Sequence, residues 1–280
     1  MARIRLLALD IDGTLVDLED RVSAGVRRAL QQAREAGIEI VLATGRRYSR
    51  VLPLVDVLGI STPLVTASGA LVKDPATHRT LYRADFAREL LLESLAVIDR
   101  AGHEALLYAD TFHEGFDFYC RTHETASPEL GEFLAKNHPS SQLWPQIIAA
   151  PPPEVFGAFA MGTRDQMVEL ERQLAARLPE QLYVHVIRSP KYRGFMCEIA
   201  PLGATKWFGI QHLAALHGIA ADEICAVGDD VNDIPMLEGS GLGVAMGNAQ
   251  AEVQAAADRV APTLAEDGMV QAVAWALERD

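Results

Sequence analysis

Two aspartates two residues apart, Asp10 and Asp12, end an apolar run from Ile4 to Leu9, and Gly13-Thr14 follows at once. The run reads as a short buried strand closed by a turn signal. Carboxylates are costly at such a place. Ligands of open α/β sheets, however, bind beyond the carboxyl ends of the strands. A carboxylate pair there can divide labour, one as nucleophile and one as acid and base. The same pentapeptide also suits an ordinary acidic turn, because Asp and Gly favour turns for local reasons.

Three later segments extend the pattern. The apolar run Gly37 to Ala43 ends in Thr44-Gly45-Arg46, and the run Asp222 to Val227 ends in Gly228-Asp229-Asp230-Val231-Asn232-Asp233. Between them, Gly203-Ala204-Thr205-Lys206 opens what reads as an amphipathic helix. A lysine in the first turn opposes the helix dipole, which favours anions there. A substrate anion held between Lys206 and nearby amides would account for it; a solvated lysine is the plainer reading. Thr44 suits a helix N-cap as well as a functional role. Arg46 can anchor its loop or steer phosphate. Asp229, Asp230 and Asp233 crowd one turn, where they repel unless a cation or partner compensates.

Taken in order, the four segments resemble the haloacid dehalogenase-like superfamily and, within it, the Cof-type phosphatases. The resemblance covers the whole chain, with a long insert between the second and third motifs. It implies an α/β fold: a doubly wound, mostly parallel Rossmann-like core sheet carrying an inserted α+β cap domain. Asp10 would then be the nucleophile that forms an aspartyl-phosphate. Asp12 would protonate the leaving alkoxide and later deprotonate water. Gly13, Thr44, Gly45, Arg46, Lys206 and Asn232 would bind the phosphate. Mg²⁺ would be held by Asp10, the Asp12 backbone carbonyl and Asp229, with Asp233 supporting its waters and Lys206. Many relatives have Asn where this chain has Ser68, so a substrate contact from that loop is not carried over.

The implied chemistry is physically coherent. A phosphate monoester is a dianion that a carboxylate cannot approach unaided. A hard cation and Lys206 would cancel the repulsion. An acid at position 12 suits rapid turnover of the phospho-enzyme, whereas related ion pumps resemble one another in having Thr there. The expected activity is Mg²⁺-dependent hydrolysis of small phosphorylated metabolites: sugar phosphates, nucleotide or flavin phosphates, or pyridoxal phosphate. A phosphomutase or phosphotransferase on the same core is the nearer alternative. A non-turnover aspartyl-phosphate signalling module is the more distant one. Receiver-like domains are shorter, lack an insert and place the Lys after all the acids.

The 280 residues suffice for two domains or one large one, and 49% are hydrophobic. The net charge of −13 argues against a nucleic-acid partner. Cys120, Cys197 and Cys225 form neither a disulfide framework nor a zinc spacing, which suggests a reducing cytoplasm. Cys197 and Cys225 sit in apolar runs and read as core. No signal sequence or membrane-spanning run is visible. A monomer or homodimer is expected.

The alternation of strand-like and helix-like segments over the first third predicts a parallel sheet with helices on both faces. Helices are expected over 23–36 and 47–58, and a hairpin over 72–82. The insert, 84–190, reads as a helix (86–101), strands near Ala105 and Phe116, and a His- and Pro-rich stretch. A strand (155–161), a helix (165–178) and a strand (183–187) follow. Ala149 to Pro153 reads as a rigid connector within it. The core is expected to be 1–83 with 191–280, and 195–200 to be one of its strands. His113, Arg121, His123, Arg188 and Arg193 are the insert's candidates for contacting a leaving group.

Overall fold

The computed structural model describes residues 2–188 and 191–278. The chain divides into two compact units, Met1–Tyr82 with Thr205–Asp280, and Arg83–Ala204.

The first unit opens with β1 (Leu6–Leu9), α1 (Ala24–Glu35), β2 (Glu39–Leu42), α2 (Tyr48–Leu58), β3 (Leu64–Thr66), β4 (Leu71–Lys73) and β5 (Thr80–Arg83). The second contains α3 (Arg88–Arg100), β6 (Leu106–Ala109), β7 (Phe118–Cys120), α4 (Pro128–Asn137), β8 (Ser141–Leu143), β9 (Val155–Gly162), α5 (Arg164–Arg177), β10 (Leu182–Ile187) and β11 (Phe195–Pro201). The chain then returns through α6 (Lys206–Leu216), β12 (Ile224–Gly228), α7 (Ile234–Gly239), β13 (Leu242–Ala245), α8 (Ala251–Ala256), β14 (Arg259–Val260) and α9 (Gly268–Leu277).

The first unit's main sheet has the order β14-β13-β12-β1-β2 and is parallel throughout. β1 is buried along its length, because helices cover both faces. On one face, Leu6, Ala8, Val41 and Ala226 pack against Ile210 and Leu213 of α6 and Met236 and Leu237 of α7. On the other, α1 packs beside α9. Ser23 caps α1 by accepting from Val26 N at 3.1 Å, and Val26, Ala29, Leu30 and Ala33 form its buried stripe. β3, β4 and β5 form a small separate sheet. The expected hairpin is the β4–β5 part of it.

The second unit has one sheet of order β10-β11-β9-β6-β7-β8, antiparallel except for β7 beside β8. Leu95 and Ile98 of α3 and Met167, Leu170 and Leu174 of α5 bury one face against Leu107, Ala158, Cys197 and Ile199. Phe159 alternates with Ala158 and Ala160, so it points the other way. There Phe133 of α4 meets it edge-on, with ring centres 5.3 Å apart.

Three expectations need correction. The strand over 195–200 exists, but it does not belong to the core sheet. As β11 it pairs with both β9 and β10, which carries the second unit on to Ala204 rather than ending it at 190. The His- and Pro-rich stretch contains a helix, α4. Ser127 caps it and Pro128 takes its first position, where a missing N–H costs nothing. Finally, α6 is not amphipathic: Phe208 and Leu216 lie on its exposed side while Ile210 and Leu213 are buried.

Candidate active site

Strand register assembles the site. Leu9 of β1 lies opposite Val227 of β12 and Leu42 of β2. Asp10, Asp229 and Thr44 therefore leave the sheet side by side at its carboxyl edge. Asp10 extends the ladder by one bond, donating its N–H to Val227 O at 3.0 Å. Thr44 N donates to Val65 O at 2.9 Å, which brings the loop after β3 alongside. That loop holds Ala67 and Ser68 at φ 48° and 54°, the left-handed region. Gly69 follows at φ 100°, and a Cβ there would lie 2.0 Å from Thr205 O. The loop is thus pressed against the start of α6, whose first residue is Lys206.

Lys206 is only 2% exposed, and Nζ donates to Asp10 Oδ1 at 2.7 Å and Asp233 Oδ1 at 2.6 Å. A lone buried ammonium is prohibitive; two carboxylates make this one tolerable. Burial works to discharge Lys206, but Asp10 and Asp233 outweigh it and hold the ammonium more firmly than usual. Burial also lifts Asp10 well above the usual carboxylate range; Lys206 opposes this, and Asp233 and Asp229 reinforce it. Asp229 is pushed up to about 7 by burial and then by Asp233, against a hydrogen bond from Thr14. The pocket therefore has more negative charge than Lys206 alone can balance.

Asp10, Asp229 and Asp233 each offer a ligand atom, all within 4.8 Å of one another. Such an oxygen-only set suits a hard cation. Asp233 is turned inward: its Oδ2 accepts from Asp229 N at 2.9 Å and Asp230 N at 3.0 Å. Asp229 is braced by Thr14 Oγ1 at 2.8 Å and Asn248 Nδ2 at 3.2 Å. Asn248 Nδ2 also donates to Gly13 O at 2.9 Å. Gly13 sits at φ 80°, and a Cβ on it would fall 2.2 Å from Asp229 Oδ2, so a larger residue has no room.

Asp12 lies at the half-open side of the site. Arg46 takes both its oxygens, Nε to Oδ2 and Nη2 to Oδ1, each at 2.7 Å. Nη2 also reaches Asp20 Oδ1 at 2.6 Å. Thr44 is buried and is not a helix cap. Arg47 holds that position in α2, and Thr44 Oγ1 accepts from Arg46 N at 3.1 Å. Asn232 is buried, with Nδ2 donating to Ser68 Oγ at 3.3 Å and Oδ1 accepting no hydrogen bond among the described residues. A Cβ on Gly45 would touch Ser68 Oγ at 3.4 Å and lie 3.7 Å from Asn232 Nδ2.

The family model for haloacid dehalogenase-like hydrolases matches residues 7–273. The chain belongs to this family. It is 30% identical to the phosphatase YwpJ of Bacillus subtilis, over 95% of this chain and 97% of the relative. It is 27% identical to the 5-amino-6-(5-phospho-D-ribitylamino)uracil phosphatase YcsE of the same organism, over 98% and 96%. A solved haloacid dehalogenase-like hydrolase from B. subtilis superposes with a TM-score of 0.78 at 25% identity, covering 97% of this chain and 99% of that one. This haloacid dehalogenase-like hydrolase is accordingly an enzyme of the phosphomonoesterase kind.

In this hydrolase the ten residues singled out from the sequence all lie in the first unit, around the carboxyl edge of its sheet. The insert's candidates do not gather. Arg121 pairs with Asp99 at 3.6 Å, and Arg193 with Glu129 at 3.5 Å. His123 meets Ser141 Oγ at 2.8 Å and lies against the His138 ring. His113 and Arg188 are exposed. Cys120, Cys197 and Cys225 are buried, and none of them forms a disulfide among the described residues. No helix among the described residues is long and apolar enough to cross a membrane. The sequence reading gave no role to Asn248, Thr14 or Asp20. Asn248 comes three residues after β13, and a polar side chain just past a buried parallel strand was the available signal.

Proposed function

We propose that the hydrolase cleaves small phosphate monoesters through an aspartyl-phosphate on Asp10, with Mg²⁺ as cofactor. One observation carries the reading: a buried Asp10 gripped by Lys206, beside Asp229 and Asp233, at the carboxyl edge of a parallel sheet. The donors fit Mg²⁺. They are all oxygen, and burial together with the neighbouring Asp233, which push Asp229 up to about 7, leaves a carboxylate cluster that a cation would stabilise. Asp10, Asp229 and the Asp12 backbone carbonyl would hold the ion, with Asp233 supporting it. When bound, Mg²⁺ supplies charge neutralisation of the phosphoryl oxygens in the transition state.

The chain's own groups do the rest. Lys206, Thr44 and Asn232 bind phosphoryl oxygens, Asn232 through its Nδ2 donor. Asp10 attacks phosphorus, and the ester oxygen departs with a proton from Asp12. Asp12 then takes a proton from the water that attacks the phospho-enzyme. The second unit, as a cap, chooses the leaving group. The YcsE relative, a phosphatase for a phosphorylated ribityl compound, supports a small metabolite as substrate. A screen of phosphorylated metabolites with Mg²⁺ and with chelator tests the reading. Turnover surviving exhaustive chelation, or hydrolysis of none of them, contradicts it.

A further inference from the structure

Asp12 has a problem that its own chemistry does not solve. Arg46 takes both its carboxylate oxygens, and Arg46 is only 11% exposed. To reach a leaving oxygen, Asp12 must turn at least one oxygen away. That motion strips a largely buried guanidinium of an anion, which is unfavourable unless another anion remains.

Asp20 is that anion. Its Oδ1 shares Arg46 Nη2 with Asp12, at 2.6 Å against 2.7 Å. The loop around Asp20 is built to hold it. Asp20 stands at φ 61°, a conformation Asp tolerates better than most residues. Asp17 Oδ1 accepts from Glu19 N at 3.0 Å and from Arg21 N at 2.9 Å. Asp20 N donates to Asp17 O at 3.1 Å, and Asp17 N to Arg21 O at 3.2 Å. Four hydrogen bonds thus close a five-residue loop whose tip carries the second carboxylate. On the other side, Thr44 Oγ1 fixes the Arg46 backbone at 3.1 Å.

We propose that Asp20 is a positioning residue: it retains Arg46 so that Asp12 can leave the guanidinium and meet the departing oxygen. The proposal rests on the reading of Asp12 as proton donor. Without Asp20, Arg46 grips Asp12 alone and releases it less readily. The cost falls on esters whose leaving group needs a proton, and spares those whose leaving anion is already stable.

The test uses the full-length protein with Mg²⁺ and two esters of nearly equal shape, phenyl phosphate and 4-nitrophenyl phosphate. Asp20→Asn keeps size and removes charge at a 40% exposed side chain, so the fold is retained. Its kcat/KM should fall roughly tenfold on phenyl phosphate, part of the 10²–10⁴ that a positioned acid supplies, and less than about twofold on 4-nitrophenyl phosphate. Asp20→Glu should restore most of the loss. In an Asp12→Asn background, Asp20→Asn should add nothing. Equal losses on both esters, no loss at all, or a further loss in the Asp12→Asn background would each overturn the proposal. If Asp12→Asn itself fails to change the ratio between the esters, the reading of Asp12 falls, and this proposal with it. If only Asp20→Asn fails to change the ratio, only the role of Asp20 falls.

Discussion

Lys206 Nζ lies 2.7 Å from Asp10 Oδ1, although 196 residues separate the two in the chain. Parallel pairing of β1 with β12 and the pressing of the Ala67–Gly69 loop onto the start of α6 create this contact. It joins the candidate nucleophile to the cation that would both hold it and neutralise its target.

Replacing that lysine should therefore cost activity and stability together. Lys206→Ala leaves Asp10 and Asp233 buried without their ammonium. Loss of one partner from a buried pair costs about 3–5 kcal/mol. Turnover should drop by about 10²–10³, the scale of a lost preorganised charge. Lys206→Arg should not rescue it, because the slot is filled and a planar fork is not a point charge. Thermal unfolding and steady-state rates check both. Near-normal rates in the arginine variant would show that Lys206 acts only as bulk charge.

The carboxylates predict a coupling between pH and Mg²⁺. Asp229 keeps its proton up to about pH 7 when folded, against an ordinary value of 3.8. Between those values the folded state binds more protons than the unfolded, so the stability of the metal-free protein falls as pH rises through the window. Asp10 is displaced in the same sense. The rise in unfolding temperature on adding Mg²⁺ should therefore be larger at pH 8 than at pH 5, and Asp229→Asn should shrink the difference. An equal Mg²⁺ effect at both pH values would count against the carboxylate cluster as the site.

Gly13 fixes the distance between the first and last motifs. Gly13→Ala puts a methyl where Asp229 Oδ2 lies and strains a φ of 80°. The protein should fold, since the change is confined to an edge loop, but more Mg²⁺ should be needed for half-maximal activity. Titration of activity with Mg²⁺ reads this directly. An unchanged requirement would mean that Asp229 is free to move aside without consequence.

Asn248 should matter for the same carboxylate by another route. Its Nδ2 holds Asp229, and its Oδ1 is fixed by Leu264 N at 2.9 Å. Asn248→Ala should raise the Mg²⁺ requirement about 10–100-fold, as the loss of outer support around a metal ligand commonly does. Thr14→Val, which removes the 2.8 Å bond to Asp229 Oδ1, should act in the same direction. Variants with unaltered Mg²⁺ response would assign both residues to loop structure alone.

The residues legible in the sequence were those marked by both type and place. Asp10, Thr44 and Asp229 each end an apolar run, and Lys206 opens a helix. Local pattern also gave α1, through Ser23 and the Val26–Ala29–Leu30–Ala33 stripe. Asp20 was not legible, because its importance comes from a guanidinium 26 positions away. Asn248 follows a strand but belongs to no acidic cluster, and only the fold shows it behind Asp229. Phe195–Pro201 was visible as a strand, yet local sequence does not choose between sheets. Cross-strand pairs such as Glu198 with His185 and Phe159 decide that. Pro128 signalled the start of α4, but the surrounding His and Pro residues obscured it.

The most direct test of the account is acid quenching during turnover of 4-nitrophenyl phosphate with Mg²⁺, followed by peptide mass analysis. A phosphate adduct should appear on the peptide bearing Asp10, be absent in Asp10→Asn and accumulate further in Asp12→Asn, where water is no longer activated. Sustained turnover with Asp10 unmodified throughout, or an adduct on another residue, would contradict it.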